Sequence, residues 1–370
     1  ILEMYLNIIY VGPNIYGVQT GAKYYFDKDI SELSLAECAY LAGINNSPNS
    51  YNPFTDLDNS ELITNRTLTV LQKMLELEYI NQEEYDEAKK EVDLGLNFDN
   101  GEIESKNAIY SYHTDALISQ LISDFAEDKN ISEEFAKNYF YLSGATIYST
   151  QNSNIQNQVE YEFNKKQYIL YSSDKENTSQ AAMIIIDHQT GNILACSGGL
   201  GEKQTFRGLN RATQSKRQTG SSIKPLAVLI PGIDKKIFTA STIFEDEEKT
   251  FVDGYKPGNS GGYLGQITVR RALESSQNIP FVEMMEKINP KRAISYLKNM
   301  GITSLTKEDE NLALALGGLK EGITPLEMAG AYATIANDGE YIEPTFYTSV
   351  VNYNGNMILE VKQRTKRVFS

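Results

Sequence analysis

Four serine–lysine pairs in this 370-residue chain have the spacing Ser-x-x-Lys, which could support nucleophilic catalysis. A serine hydroxyl is a weak nucleophile until a base removes its proton. Lysine can act as that base only where its surroundings favour the neutral amine. The spacing alone is weak evidence for catalysis, so the sequence around each pair must show which pair is a candidate. The pairs are Ser172–Lys175, Ser221–Lys224, Ser295–Lys298 and Ser304–Lys307.

Three of the pairs have ordinary structural interpretations. Ser172 lies in the polar segment SSDKENTS, which reads as a loop. Ser295 and its lysine read as outer positions of a helix in KRAISYLKNM, and Ser304 lies in a turn before the charged run KEDEN. None of these contexts favours a neutral lysine.

The pair Ser221–Lys224 differs because it opens an apolar run, in RQTGSSIKPLAVLI. Gly220 allows an unusual backbone angle next to the serine. On a helix with about 100° per residue, Ser221 and Lys224 share a face, whereas Ser222 points roughly 160° away from the lysine. A buried helix start disfavours an ammonium and offers N–H groups to an oxyanion. The alternative, that Ser221 is a helix N-cap and Lys224 a surface residue, stays open on this stretch alone.

A second candidate element, Ser276-Gln277-Asn278 in ALESSQNIPF, follows between two amphipathic segments. On a tight turn a hydroxyl and an amide two residues apart can face the same site, where the hydroxyl can relay a proton and the amide can hold a substrate carbonyl. The same Ser-x-Asn spacing at residues 47–49 and 50–52 precedes Ser221 and lies in turns. The alternative is a helix-terminal serine and a surface asparagine.

Helices are predicted to dominate the first part of the chain. ILEMYLNIIYVG suits a buried helix that ends at Gly12. SELSLAECAYLAGI suits a helix capped by Ser31 or Ser34 and terminated by Gly43. Residues 59–90 read as two amphipathic helices.

The rest of the chain mixes strands and helices. GATIYSTQ has strand character, and AAMIIIDHQTGNILACSGG predicts a hairpin whose turn lies at residues 188–192. Helical patterns return after residue 220. We therefore expect an α-rich N-terminal part, a linker region and an α+β C-terminal domain.

Composition excludes several classes of protein. The net charge of −15 argues against a nucleic-acid partner, since no basic stripe would neutralise phosphates. No apolar run approaches the roughly 18 residues of a membrane span. Cys38 and Cys196 are far apart, so a disulfide framework is not expected. His113 and His188 lack metal-ligand spacing, and nothing indicates a metal or cofactor.

The longer segments around both candidate motifs resemble the class A, bifunctional, penicillin-binding proteins. FRGLNRATQSKRQTGSSIKP resembles the nucleophile region of that family, and GYLGQITVRRALESSQNIP its second-motif region. ALGGLKEGITPLEMAGAYATIANDGEYIEP resembles the segment that follows. The stretch from ILEMYLNIIYVG to SPNSYNPF resembles the end of a peptidoglycan glycosyltransferase domain. The resemblance covers most of the chain and is weakest from about residue 91 to 140.

This resemblance implies a multi-domain fold. Residues 1–56 would be the C-terminal part of an α-helical, lysozyme-like glycosyltransferase domain, and residues 57–140 a helical linker region. Residues 141–370 would form an α+β, penicillin-binding or β-lactamase-like transpeptidase domain. The family's third motif, Lys-Thr-Gly or a relative, does not occur from 279 to 370. We therefore expect this motif, and the glycosyltransferase's catalytic glutamate, to lie outside the sequence, which would be truncated at both ends and impaired by itself.

The resemblance also implies roles for individual residues. Ser221 would attack the penultimate D-Ala carbonyl of a peptidoglycan stem peptide, with Lys224 as base. Ser276 would relay a proton, and Asn278 would orient the substrate. Glu3 and Asn7 match glycosyltransferase positions that would line the substrate groove, although Glu3 also fits a buried structural carboxylate. An amine from a second strand would resolve the acyl-enzyme and give a cross-link.

The implied setting is the outer face of the cell membrane, with an anchor upstream of the sequence. The implied partners are the lipid-linked disaccharide-pentapeptide, nascent peptidoglycan, β-lactams and cell-wall assembly proteins. The transpeptidase would need no cofactor, while the glycosyltransferase half could use a divalent metal at a site outside this sequence. Two other functions stay open: a non-catalytic β-lactam-sensing or scaffold domain, and a serine β-lactamase or D,D-carboxypeptidase.

Overall fold

A computed structural model describes residues 2–12, 15–55, 58–99, 110–171 and 178–370. The chain forms two compact units. The first comprises residues 1–108 and 138–143, and the second residues 109–137 and 144–370. Residues 57–140, predicted as a linker region, are thus distributed over both units. The domain boundaries inferred from the resemblance stay a prediction.

The first unit is mainly helical and packs around a cluster of aromatic rings. Tyr25 lies at the centre of the cluster, 5.3 Å from Tyr40 and 6.0 Å from Phe54 between ring centroids. The helices are α1 (Leu2–Ile8), α2 (Val18–Phe26), α3 (Leu35–Ile44), α4 (Ser60–Glu76) and α5 (Gln82–Leu94), and the antiparallel strands are β1 (Tyr10–Gly12) and β2 (Ile15–Tyr16).

The predicted helix over residues 1–12 is wrong in its second half, because α1 ends at Ile8 and Tyr10–Gly12 form a strand. Tyrosine and valine favour a strand where a partner strand is present. The Tyr25 hydroxyl also donates a hydrogen bond to the Val11 carbonyl at 2.8 Å. This tertiary contact and the partner strand outweigh the local helical pattern.

The cap of α3 was predicted correctly, and its end was not. Ser34 Oγ accepts from the Glu37 amide at 3.1 Å, and the Glu37 carboxylate accepts from the Ser34 amide at 2.9 Å. Gly43, however, lies inside the helix, which continues to Ile44. A Cβ at position 43 would lie 3.2 Å from the Arg66 side chain. This glycine therefore allows close packing of α4 and does not terminate α3.

The second unit combines helices with small antiparallel sheets. The predicted hairpin is confirmed, with Met183–Ile186 paired to Ile193–Ser197. The strands are β3 (Thr146–Ser149), β4 (Met183–Ile186), β5 (Ile193–Ser197), β6 (Ile243–Asp246), β7 (Gly265–Thr268), β8 (Glu340–Ile342), β9 (Tyr347–Val351), β10 (Met357–Glu360) and β11 (Thr365–Arg367). The strand order of the three-stranded sheet is β10-β9-β3, and β4-β5, β6-β7 and β8-β11 form two-stranded sheets.

The largest apolar core of the second unit lies among its C-terminal helices. The helices in or partly in this unit are α6 (Tyr112–Lys129), α7 (Glu133–Leu142, which has residues in both units), α8 (Ser153–Phe163), α9 (Arg211–Gln214), α10 (Ile230–Asp234), α11 (Val269–Glu274), α12 (Ile279–Ile288), α13 (Pro290–Asn299) and α14 (Pro325–Ala336). None of the helices in the described ranges is long and apolar enough to cross a bilayer.

Buried His113 makes the stability of the second unit sensitive to acid. One ring nitrogen, Nε2, lies 2.7 Å from the Ile193 carbonyl and donates to it, while Nδ1 has no partner among the described residues. Burial lowers the pKa of His113 to about 4. The unfolded chain, with an ordinary histidine pKa, takes up the proton first as pH falls. The contribution of His113 to the free energy of unfolding is therefore fully present above about pH 6.5. It declines as pH falls toward 4, by at most about 3 kcal/mol.

We expect His113→Phe to reduce the loss of thermal stability between pH 7 and 4.5. The Ile193 carbonyl keeps a donor in this variant, because Thr150 Oγ1 also donates to it at 2.7 Å. The measurement is the unfolding midpoint at both pH values. His188, the chain's other histidine, supplies the control variant His188→Phe, which should follow the wild type. An unchanged pH dependence in His113→Phe would contradict the assignment.

Candidate active site

Lys224 lies at a junction of helical segments that bury its side chain. It follows a 3₁₀ turn, Gly220–Ile223, and precedes a π-helical turn, Pro225–Leu229. Ile223 and Leu226 on either side are fully buried and anchor the junction in the core. The lysine is only 1% exposed. The predicted helix is thus present but is not a regular α-helix, and π-helical turns often occur at functional sites.

The Lys224 ammonium nitrogen points at the segment 276–278. Nζ lies 2.8 Å from the Ser276 carbonyl oxygen, 3.2 Å from Ser276 Oγ, 3.1 Å from the Gln277 carbonyl oxygen and 2.9 Å from Asn278 Oδ1. The Phe281 ring lies 5.0 Å from the same nitrogen. The structure therefore brings together three of the residues predicted for the site, Lys224, Ser276 and Asn278.

The surroundings of Lys224 favour its neutral form more than water does. Burial lowers the pKa of Lys224 to about 8. None of the described residues that hydrogen-bond to Nζ is ionisable as a carboxylate, so no ion pair offsets the desolvation. Roughly one lysine in ten is then neutral at pH 7. Lys224 can therefore accept a proton near neutral pH, whereas an exposed lysine is almost fully protonated there.

Ser221 lies in the turn before Lys224 and is exposed to solvent. The N-cap interpretation of Ser221 is wrong, because Thr219 holds the cap position of the turn. Ser222 Oγ donates to the Thr219 carbonyl at 2.6 Å. Within the described ranges, Ser221 Oγ has no hydrogen-bond partner, so its hydroxyl is free to meet a ligand.

The segment 276–278 is a turn between α11 and α12. Ser276 has a left-handed backbone, with φ of 53°, and its amide donates to the Leu273 carbonyl at 3.0 Å. This conformation is uncommon for a residue with a side chain. The turn directs the Ser276 and Asn278 side chains toward the same nitrogen of Lys224.

The turn that carries Ser221 is held against residues 317–332. The backbones of Arg217 and Ile323 exchange two hydrogen bonds, at 3.1 and 2.9 Å. The Tyr332 hydroxyl donates to the Ser222 carbonyl at 2.6 Å. Gly317, with φ of +78°, lies so close that a Cβ there would be 2.4 Å from Gly220 N and O. Sequence reasoning missed this support, whose only signal was the glycine-rich segment ALGGLKEG.

The remaining sequence candidates do not join this site. Ser295 and Lys298 are exposed on α13, as predicted. Ser304 Oγ donates to the Gly322 carbonyl at 2.8 Å, and the pair Ser172–Lys175 lies outside the described residues. No cluster of histidine, cysteine, aspartate or glutamate in the described part of the chain could hold a metal.

Glu3 and Asn7 lie on α1 in the first unit. The Glu3 side chain lies outside the described residues. Asn7 is exposed, and its carbonyl would lie 2.8 Å from a Cβ on Gly17. Their predicted place in a glycan groove stays a prediction.

Comparisons with known proteins show which families the chain matches. Residues 181–370 match the family model of the penicillin binding protein transpeptidase domain, and residues 1–75 match the transglycosylase model. The chain is 36% identical over 386 residues to penicillin-binding protein 1A of Clostridium botulinum strain Hall, covering 100% of this chain and 46% of that protein. It is 35% identical over 372 residues to penicillin-binding protein 1F of Bacillus subtilis, covering 100% and 48%. The chain therefore spans about half the length of these curated relatives.

Solved structures share the fold. The crystal structure of penicillin-binding protein 1A from Haemophilus influenzae superposes with a TM-score of 0.66 at 23% identity, over 98% of this chain and 65% of that chain. PonA1 from Mycobacterium tuberculosis in complex with penicillin V gives a TM-score of 0.57 at 24% identity, over 69% of this chain and 67% of that chain.

The order of the two matches, a transglycosylase followed by a transpeptidase, is the domain order of the class A penicillin-binding proteins and confirms the expected fold. The chain belongs to the penicillin-binding protein transpeptidase family, as a class A member.

Proposed function

We propose that this chain takes part in peptidoglycan synthesis as a serine D,D-transpeptidase. The observation that carries the proposal is a buried lysine, Lys224, whose nitrogen contacts Ser276 and Asn278 one turn away from the exposed Ser221. In the other two Ser-x-x-Lys pairs that the structure describes, the lysine is exposed to solvent.

In the proposed reaction, Ser221 Oγ attacks the carbonyl carbon of the penultimate D-Ala while neutral Lys224 accepts the hydroxyl proton. The new C–O bond forms, the peptide C–N bond breaks, and the terminal D-Ala leaves with a proton. An amine from a second stem peptide then attacks the ester, releases Ser221 and completes the cross-link. β-Lactams would acylate the same oxygen as the lactam C–N bond breaks. The released nitrogen stays attached to the acyl group, so nothing departs and the adduct persists.

Ser276 and Asn278 have separate parts in this mechanism. Ser276 Oγ, 3.2 Å from Lys224 Nζ, can relay the proton to the departing amine. Asn278 presents its Oδ1 to Lys224, while its amide nitrogen donates one hydrogen to the Gly258 carbonyl at 2.7 Å. An amide nitrogen carries two hydrogens, and the second is proposed to hold a substrate carbonyl.

The first unit supports a second proposed activity, polymerisation of the lipid-linked disaccharide-pentapeptide. The transglycosylase match covers residues 1–75, and Glu3 and Asn7 are proposed to line its groove. Four further features are also proposed: a membrane anchor, a location at the outer face of the membrane, cell-wall assembly partners and a divalent metal for the glycosyltransferase half. The proposed acyl transfer assigns no step to a metal or cofactor.

Labelling with a fluorescent penicillin, followed by measurement of how long the adduct persists, tests the proposed function. A transpeptidase should form an adduct that is stable for many minutes and should release D-Ala from a stem peptide when an acceptor amine is present. Rapid loss of the adduct would indicate a β-lactamase. A stable adduct without any D-Ala release would indicate a sensor or scaffold, and no adduct would refute the assignment.

We expect Gly317→Ala to slow penicillin acylation by about 10–100-fold, because it displaces the backbone that carries Ser221. A misplacement of about 1 Å at a reacting group has effects of this size. The measurement is the acylation rate with fluorescent penicillin, together with the thermal unfolding midpoint. Substitution at positive φ also strains the backbone, so some loss of stability is expected.

Gly355→Ala is the matched control. Gly355 has nearly the same backbone angle, φ of +79°, but a Cβ there meets nothing within 4 Å. It should share the backbone strain and keep the wild-type acylation rate. Equal acylation rates in the two variants would show that the contact with Gly220 does not position the serine.

A further inference from the structure

Asp246, at the end of β6, is a fully buried carboxylate near the candidate site. Its Oδ1 accepts from Asn259 Nδ2 at 2.7 Å, and its Oδ2 accepts from the Leu264 amide at 2.9 Å. No lysine or arginine within the described ranges forms an ion pair with it. Burial of a charge without a counter-ion is costly, so the position of this carboxylate requires an explanation.

Asp246 determines the orientation of the Asn259 side chain. Both oxygens of Asp246 accept hydrogen bonds, so the amide nitrogen of Asn259, which is its donor group, faces the carboxyl group. The second hydrogen on that nitrogen goes to the Gly262 carbonyl at 3.1 Å. The Asn259 carbonyl oxygen is therefore turned away from Asp246, where it accepts from the backbone amide of Asn278 at 2.8 Å.

The same loop also holds the side chain of Asn278. Asn278 Nδ2 donates to the Gly258 carbonyl at 2.7 Å, which leaves Asn278 Oδ1 facing Lys224 Nζ at 2.9 Å. A continuous series of hydrogen bonds thus runs from Asp246 through Asn259 and Asn278 to Lys224. Both the backbone and the side chain of Asn278 are fixed by residues 258–259.

We propose that Asp246 and Asn259 are positioning residues, which hold Asn278 in the orientation that the Lys224 site needs. This inference rests on the proposed function, because it assigns the series of hydrogen bonds to the acyl-transfer step. Neither residue is expected to touch the substrate. Asp246 acts on Asn259, Asn259 acts on Asn278, and Asn278 acts on Lys224.

The test uses Asn259→Ala, which removes all three hydrogen bonds of the connecting amide and changes no charge. We expect the maximal rate of acylation by fluorescent penicillin to fall about tenfold or more, as for other small displacements of reacting groups. The rise of the rate with pH should shift to lower pH, because displacement of Asn278 weakens the hydrogen bond from the Lys224 ammonium to Asn278 Oδ1.

The pH profile separates positioning from a purely structural role. The groups that hydrogen-bond to Lys224 Nζ are the oxygens of residues 276–278, none of them a carboxylate. A variant that only destabilises the fold lowers the amount of active protein and leaves the profile in place. If Asn259→Ala fails to fold, Asp246→Asn replaces it, because this variant keeps the shape of the side chain. The acylation rate and its pH profile are then measured in the same way.

Asp115→Asn is the control for the loss of another buried carboxylate, one that forms an ion pair with Lys203. Asp115 is 4% exposed and accepts from the Arg207 amide at 2.9 Å, but no hydrogen bond in the described ranges links it to Lys224. It should lose stability and keep both the wild-type rate and the wild-type profile. A wild-type rate in Asn259→Ala, or a lowered rate with an unshifted profile, would overturn the inference. Absence of labelling in the wild-type chain would instead refute the proposed function.

Discussion

Ser221→Ala is expected to abolish covalent labelling by fluorescent penicillin, while Ser222→Ala keeps it measurable. Ser221 is exposed and has no hydrogen-bond partner among the residues that the structure describes. Ser222 Oγ is engaged with the Thr219 carbonyl at 2.6 Å. The two serines are adjacent and both exposed, so Ser222→Ala controls for any general effect of losing a hydroxyl in this turn.

The measurement for this pair is the amount of fluorescent adduct after denaturing electrophoresis, with unfolding midpoints recorded in parallel. Labelling of Ser221→Ala at the wild-type level would disprove the nucleophile assignment. Loss of labelling in Ser222→Ala, with Ser221→Ala still labelled, would place the nucleophile at the neighbouring residue.

Lys224→Ala is expected to slow acylation by about 10²–10⁴-fold, the usual contribution of a general base. Its effect on folding should be much smaller. The variant loses the hydrogen bonds of Lys224, but it also removes the cost of burying a charged amine. In the wild type the rate should rise with pH around the pKa of Lys224, about 8, since only the neutral amine accepts the proton. This rise should be absent in Lys224→Ala.

The control for the base is Lys298→Ala, which alters a lysine at the same Ser-x-x-Lys spacing but on the exposed face of α13. It should keep the wild-type rate and pH profile. A near-normal acylation rate in Lys224→Ala, with an intact unfolding midpoint, would remove Lys224 from the mechanism.

Local patterns in the sequence predicted the elements that are held together by contacts between residues close in the chain. The hairpin of β4 and β5 has two β-rich runs around a turn with Gly191, and the capping box of α3 is complete in Ser34 and Glu37. Lys224 and Asn278, which the structure places in contact, could also be singled out as candidates, because one opens an apolar run and the other lies between two amphipathic helices. Resemblance to a family then related the two motifs to each other.

Features that depend on distant contacts could not be predicted in this way. Gly43 looks like a helix terminator, and only the packing of Arg66 against it shows otherwise. Gly317 and Asp246 carry no local signal of their roles, because each acts on residues far away in the chain. The π-helical turn after Lys224 likewise replaces a helix that the apolar run predicted to be regular.

The most direct test of the central claim is to locate the penicillin adduct by mass spectrometry. Trypsin should cleave after Arg217 but not between Lys224 and Pro225, so the site lies in the peptide QTGSSIKPLAVLIPGIDK. We expect this peptide to carry the mass of the opened β-lactam and fragmentation to place it on Ser221. An adduct on Ser222 or on any other peptide, or no adduct at all, would contradict the assignment of Ser221 as the nucleophile.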